Sequence, residues 1–203
     1  MAFTKINSKV VRVDLMQSGP IIARRGAMLF YTGDVQFAPH GAPGGVGGGP
    51  GLGGLAGMAG RMMQGEHEAT MIAQGKGTVH YGFKGLETHI VDMAAGGELR
   101  VEASRLLAHT AGLQSSVVSA NASPSGGGGG GLMGALRGAA TGAVTGQGMF
   151  TTQLSGYGAA VLLAHGGVFE LQVGGPSPVV VDPQAYVASY GAVQTELKSS
   201  MSW

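Results

Sequence analysis

The chain has 203 residues, enough for one large or two small cores, and pairs an ordinary 44% hydrophobic content with only 11% charged residues. Twelve basic residues against eleven acidic ones give a formal charge of +1, scattered singly, so the basic footprint of a nucleic-acid binder is missing. There are no cysteines, which excludes disulfides, thiolate chemistry and cysteine-ligated zinc together.

A surface so poor in charge is hard to keep fully solvated, so burial in a homo-oligomer or against a partner is expected. The first residues, Met1-Ala2-Phe3-Thr4-Lys5-Ile6-Asn7, carry no apolar stretch with a small-residue cleavage site, and no apolar run reaches the ~20 residues of a spanning helix. A cytoplasmic protein is the expectation.

In chain order, Val11, Val13 and Leu15 alternate with Arg12 and Asp14, the period of a half-buried strand, before Gln17-Ser18-Gly19-Pro20 turns the chain. Ile21, Ile22 and Ala23 open a second strand. Residues 27–31, Ala-Met-Leu-Phe-Tyr, read as an apolar run inside a core, with a turn at Gly33-Asp34 leading into Val35-Gln36-Phe37. Further on, 70–73, 78–81 and 89–93 are strand-like, and the short glycine connections at 75–77 and 82–85 suit hairpins. The same reading applies to 150–154, 159–164 and 168–173, joined at Gly156-Tyr157-Gly158 and Gly166-Gly167, with 179–181 as a further short strand.

These strands repeat. Gly65, Thr70, Gly75, Gly77 and Gly85 recur 81 residues later as Gly146, Thr151, Gly156, Gly158 and Gly166. At an offset of 80, Leu99, Val101, Glu102, Leu107 and Leu113 meet Val179, Val181, Asp182, Val187 and Val193. Ile21, Leu29 and Val35 precede Leu99, Leu107 and Leu113 by 78. The expectation is one domain, 1–203, built from three β-units at about 9–40, 65–118 and 146–203, with Leu107 and Val181 in its core. Strands every 8 to 12 residues with turns between them predict an all-β sandwich or barrel. Glycine-rich inserts at 41–64 and 121–145 fall at one equivalent place in two units, which marks one end of a repeat fold.

Three linked features, Gly26-Ala27-Met28, Arg61-Met62-Met63-Gln64-Gly65-Glu66 and Val181-Asp182-Pro183-Gln184-Ala185-Tyr186-Val187-Ala188, together with Gly156-Tyr157-Gly158, resemble the AIM24 family. The resemblance covers nearly the whole chain. It implies a β fold like that of the tryptophan RNA-binding attenuation protein and no enzymatic activity, and it links the chain to proteins associated with mitochondrial inner-membrane organisation. Members usually continue with another hairpin past the segment matching 188–203. An open edge is therefore expected there, closed by residues 9–15 lying beside 193–198 or by a second subunit.

Candidate chemistry is sparse. Glu66 and Glu68 share one face of an extended segment and His67 the other, so they cannot converge on a metal. His80 and His89 would face each other across a hairpin without a carboxylate, a poor metal site. Ser155 sits in a hairpin and not in a nucleophile elbow. Glu102 and Asp182 stand at equivalent positions and are read as acceptors for turn N–H groups, not as an acid–base pair. No catalytic, cofactor or metal residue is assigned, and no cofactor is expected. The glycine tracts lack the Gly-Lys-Ser/Thr of a phosphate loop.

The inserts carry the interaction candidates: Leu52, Leu55, Met58, Met62 and Met63 in the first, and Leu132, Met133, Leu136 and Val144 in the second. Gly134, Gly138 and Gly142 recur every four residues, a small-residue stripe that permits close contact if helical. Self-contact or a protein partner is the first reading, a loop the second and a membrane surface the third. The expected function is that of a non-enzymatic, oligomerising β scaffold presenting these inserts, with a tie to membrane organisation. The alternative is a small-ligand or RNA-binding module, which the weak basic and aromatic content disfavours.

Overall fold

The computed structural model describes residues 1–40, 70–119 and 150–195. The elements are β1 (Phe3–Asn7), β2 (Val10–Asp14), a one-turn helix α1 (Leu15–Ser18), β3 (Ile21–Arg24), β4 (Met28–His40), β5 (Thr70–Tyr81), β6 (Glu87–Glu102), a 3-10 turn (Ala103–Arg105), β7 (Leu106–Thr110), β8 (Gln114–Ser119), β9 (Phe150–Ala164) and β10 (Ala188–Tyr190). All strands join one antiparallel sheet in the order β1-β2-β5-β3-β7-β9-β6-β10, with β4 on the other side of β5 and β8 beside β9. The sheet curls into a half-barrel. The Thr88 N–H donates to the Ser8 carbonyl at 2.7 Å, bringing the β1–β2 turn onto the start of β6.

β9 shows why this sequence folds this way. Its second half, Ala159 to Ala164, is an unbroken apolar run with every residue buried, as expected for a strand covered on both faces. Ala159, Val161 and Leu163 point into one core with Ile21, Val79 and Leu107. Ala160 and Leu162 point into a second core with Leu99, Val101 and Leu154. Each fully buried Leu or Val contributes about 1.5–3 kcal/mol by removal from water, so this strand anchors both cores at once. Leu107 is core, as expected.

Several expectations are corrected. Residues 70–73 and 78–81 are not two strands of a hairpin but one continuous strand, β5, and 150–154 and 159–164 likewise form β9. The glycines between them bend the strand without reversing it: Gly75 has φ 121° and Gly156 φ 113°, and β6 shifts register between Met93 and Gly97 opposite Gly158 and Gly156, a bulge that increases local twist. Gly33 also lies within a strand, β4, and makes no turn.

The run 27–31 is core only at Ala27. Met28, Leu29, Phe30 and Tyr31 are exposed, on a strand that among the described residues pairs only with β5 and so forms a sheet edge. Residues 168–173 and 179–181 form no strand, and Val181 is 44% exposed instead of buried. The reason is topological. β9, to which 168–173 would return, already has β6 on one edge and β7 and β8 on the other.

Nor do residues 9–15 close the sheet beside 193–198. β2 has both edges occupied, by β1 and by β5, and 193–195 form no strand, while 196–198 lie outside the described residues.

Candidate interaction surface

The two inserts leave the sheet in the same way. β4 and β5 pair to their last residues, His40 opposite Thr70, so the first insert closes that hairpin. β8 and β9 end with Ser119 opposite Phe150, and the second insert closes theirs. Leu52, Leu55, Met58, Met62, Met63, Leu132, Met133, Leu136 and Val144 all lie outside the described residues.

The mouths of these hairpins are tied together by a buried arginine. Arg24 pairs with Thr70 in the β3–β5 ladder, and its Nη2 donates to the Ala103 carbonyl at 3.1 Å. Ala103 follows Glu102, which pairs with Thr151 at the second mouth. The Arg24 guanidinium also lies over the Phe83 ring, 4.8 Å from its centroid, a cation–π contact that helps hold it in a low-dielectric position. At the first mouth the Thr70 hydroxyl donates to the His40 carbonyl at 3.2 Å.

Two apolar surfaces remain open among the described residues. One is the start of edge strand β4, where Phe30 is 53% exposed even though its ring stacks on His80 with centroids 4.2 Å apart. The other is the stretch after β9, where Phe169 is 88% exposed and Leu171, Val173, Val179, Val180 and Val181 are exposed with it. That stretch touches the sheet through Glu170, whose Oε1 lies 3.2 Å from His89 Nε2 on β6. Sequence reasoning missed the first surface. An apolar run of four looks the same in a core strand and at an edge, and only the number of paired neighbours distinguishes them.

His80 and His89 lie on different strands that do not pair, so they do not face each other. Burial, then the nearby Arg12 charge, lowers the His80 pKa. His109 is buried, with Nδ1 2.9 Å from the Thr110 carbonyl. Burial dominates and lowers its pKa, opposed by that hydrogen bond and aided by His40. Glu102 Oε1 accepts from the Ser104 N–H at 3.1 Å and Asp182 Oδ1 from the Gln184 N–H at 2.8 Å, the turn-capping role expected of both. The two capped turns also touch: Arg105 Nη2 donates to the Gln184 carbonyl at 2.9 Å. Among the described residues no group of three or more His, Asp or Glu is placed to hold a metal ion, and no helix is long and apolar enough to cross a membrane.

A family model described as Mitochondrial biogenesis AIM24 matches residues 3–203. A search of curated proteins finds no match for the chain. Among solved structures, the chain is similar to protein SPYM3_0169 from Streptococcus pyogenes, with a TM-score of 0.49 and 19% identity over 81% of this chain and 63% of that one. This chain therefore spans less than two thirds of that protein's length.

Proposed function

This chain belongs to the AIM24 family, and from that premise we propose that it is a non-enzymatic scaffold that associates with copies of itself and presents its two apolar, glycine-rich inserts to a protein partner or a membrane surface. The observation that carries this reading is the apolar surface left open on β4 and on the stretch after β9. Contiguous exposed apolar patches on a folded chain mark contact sites, and a protein with 11% charged residues has little else to keep such patches solvated. The contact between Arg24 and Ala103 supports presentation of both inserts from one region.

The finer architecture belongs to the same proposal: a repeated β-unit, arranged as in the attenuation-protein fold. Its support is conformational. Gly75 and Gly156 share a positive φ in mid-strand, Gly77 and Gly158 both lack room for a Cβ, and Glu102 and Asp182 cap equivalent turns. Matched environments of this kind suit a scaffold, whereas acid–base catalysis needs carboxylates held in contrasting ones.

The test is the mass of the native protein in solution. Sedimentation of the intact chain at micromolar concentration is expected to give a multiple of 20.3 kDa. A monomer across the whole concentration range would overturn the reading.

A further inference from the structure

Resting on that reading of self-association, we propose that residues 168–173 of one chain add as a strand to the outer edge of β4 in a second copy. The segment Val168-Phe169-Glu170-Leu171-Gln172-Val173 alternates apolar and polar residues, the pattern of a strand with one buried face. It joins no ladder in its own chain. Glu170 reaches His89, and Phe169, Leu171 and Val173 are exposed. The apolar side chains of a strand-like sequence are thus uncovered.

The receiving edge is in the same molecule. Among the described residues β4 pairs only with β5, so the N–H and C=O groups of its other edge form no ladder, and Met28, Leu29, Phe30 and Tyr31 supply apolar side chains along it. Strand addition to such an edge takes its affinity from main-chain hydrogen bonds and its selectivity from alternate side chains. It also covers an edge that would otherwise template uncontrolled pairing.

In its own chain the segment is anchored elsewhere. Glu170 is held at β6 by His89, and 168–173 joins neither β4 nor any other strand among the described residues of its own chain. The occupant is therefore a second copy. A symmetric pair exchanges two segments for two edges. With Phe169, Phe30 and Tyr31 covered at each contact, the buried area reaches the order of 1,000 Å², the size a specific interface needs.

The absence of native cysteine makes the test direct. One preparation carries Phe169→Cys, and three others carry Leu29→Cys, Phe30→Cys or Tyr31→Cys to sample the register. Mixed under mild oxidation, the first should form a disulfide-linked heterodimer with at least one of the others. In parallel, Phe169→Glu with Leu171→Glu should return the protein to monomer mass while it still melts cooperatively, at a temperature that no longer depends on protein concentration. If no mixture cross-links and the double variant still associates, this pairing is wrong while self-association stands. If the unmodified chain is itself a monomer and no mixture cross-links, both fail.

Discussion

Gly158 lies so close under Thr110 that a Cβ on the glycine would overlap the threonine Oγ1, and it would stand 3.0 Å from Leu113 Cγ. Thr110 cannot easily yield, because its Oγ1 accepts the Ala159 N–H at 3.2 Å. Gly158→Ala is therefore expected to cost about 1–3 kcal/mol through overpacking. Gly112→Ala is the control: its nearest neighbour to a new Cβ is the Tyr157 carbonyl oxygen at 4.0 Å. Urea denaturation of the two variants should separate them clearly, and equal midpoints would refute the contact.

Tyr81 is 1% exposed, and its hydroxyl has no hydrogen-bond partner among the described residues. Burial alone pushes its pKa up. A buried hydroxyl without a partner costs about 1–3 kcal/mol of desolvation, so deleting it while keeping the ring should not hurt. Tyr81→Phe is expected to leave stability unchanged or raise it by about 1 kcal/mol, whereas Tyr81→Ala loses about 3–5 kcal/mol to a cavity. Calorimetric melting decides between these outcomes, and a clear loss in Tyr81→Phe would reveal a partner for the hydroxyl in solution.

His109 makes the fold acid-sensitive. Its hydrogen bond to the Thr110 carbonyl requires a proton on Nδ1, and burial holds its pKa below the ordinary 6.5. The unfolded chain then binds this proton first as pH falls, so its contribution to stability is complete above pH 6.5 and declines below it, until the folded pKa is reached. His80, also lowered, acts in the same direction. Unfolding free energies measured between pH 7.5 and 5 should fall with acidification, and the slope should shrink in His109→Gln even if the variant is less stable throughout. An unchanged slope would assign the acid sensitivity elsewhere.

The strand at 159–164 was legible because the signal is local, an apolar run between glycines, whereas the burial of all six residues comes from the strands on either side of β9 and the two cores they close. The capping roles of Glu102 and Asp182 were legible for the same reason, each carboxylate reaching an N–H two residues on. What failed depended on distant parts of the chain. Glycine at 75 and 156 signals a departure from strand geometry, but whether it reverses the chain or only bends it depends on whether a partner strand such as β4 or β6 runs past it. Met28–Tyr31 and 168–173 were misread because nothing in either stretch reports how many neighbours it has. The interaction residues expected in the inserts rest on composition and lie outside the described residues.

Val181 separates the repeat as a sequence pattern from the repeat as a burial pattern. It aligns with Val101, which is fully buried, yet Val181 is 44% exposed, because β10 begins only at Ala188, where it pairs with Val101 itself. Val101 on β6 is thus covered by β10, and the burial it has is not reproduced at Val181. Val181→Asp should accordingly fall within about 0.5 kcal/mol of the unmodified protein, as surface substitutions do. Val161→Asp places a carboxylate between β6 and β7 at a position with 0% exposure, at a cost of several kcal/mol that would consume most of a stability of about 5–15 kcal/mol. Soluble expression with cooperative melting is expected of the first and aggregation or loss of the transition of the second. A loss of 2 kcal/mol or more in Val181→Asp, relative to the roughly 0.5 kcal/mol expected of a surface site, would mean that 179–181 is packed against something in solution.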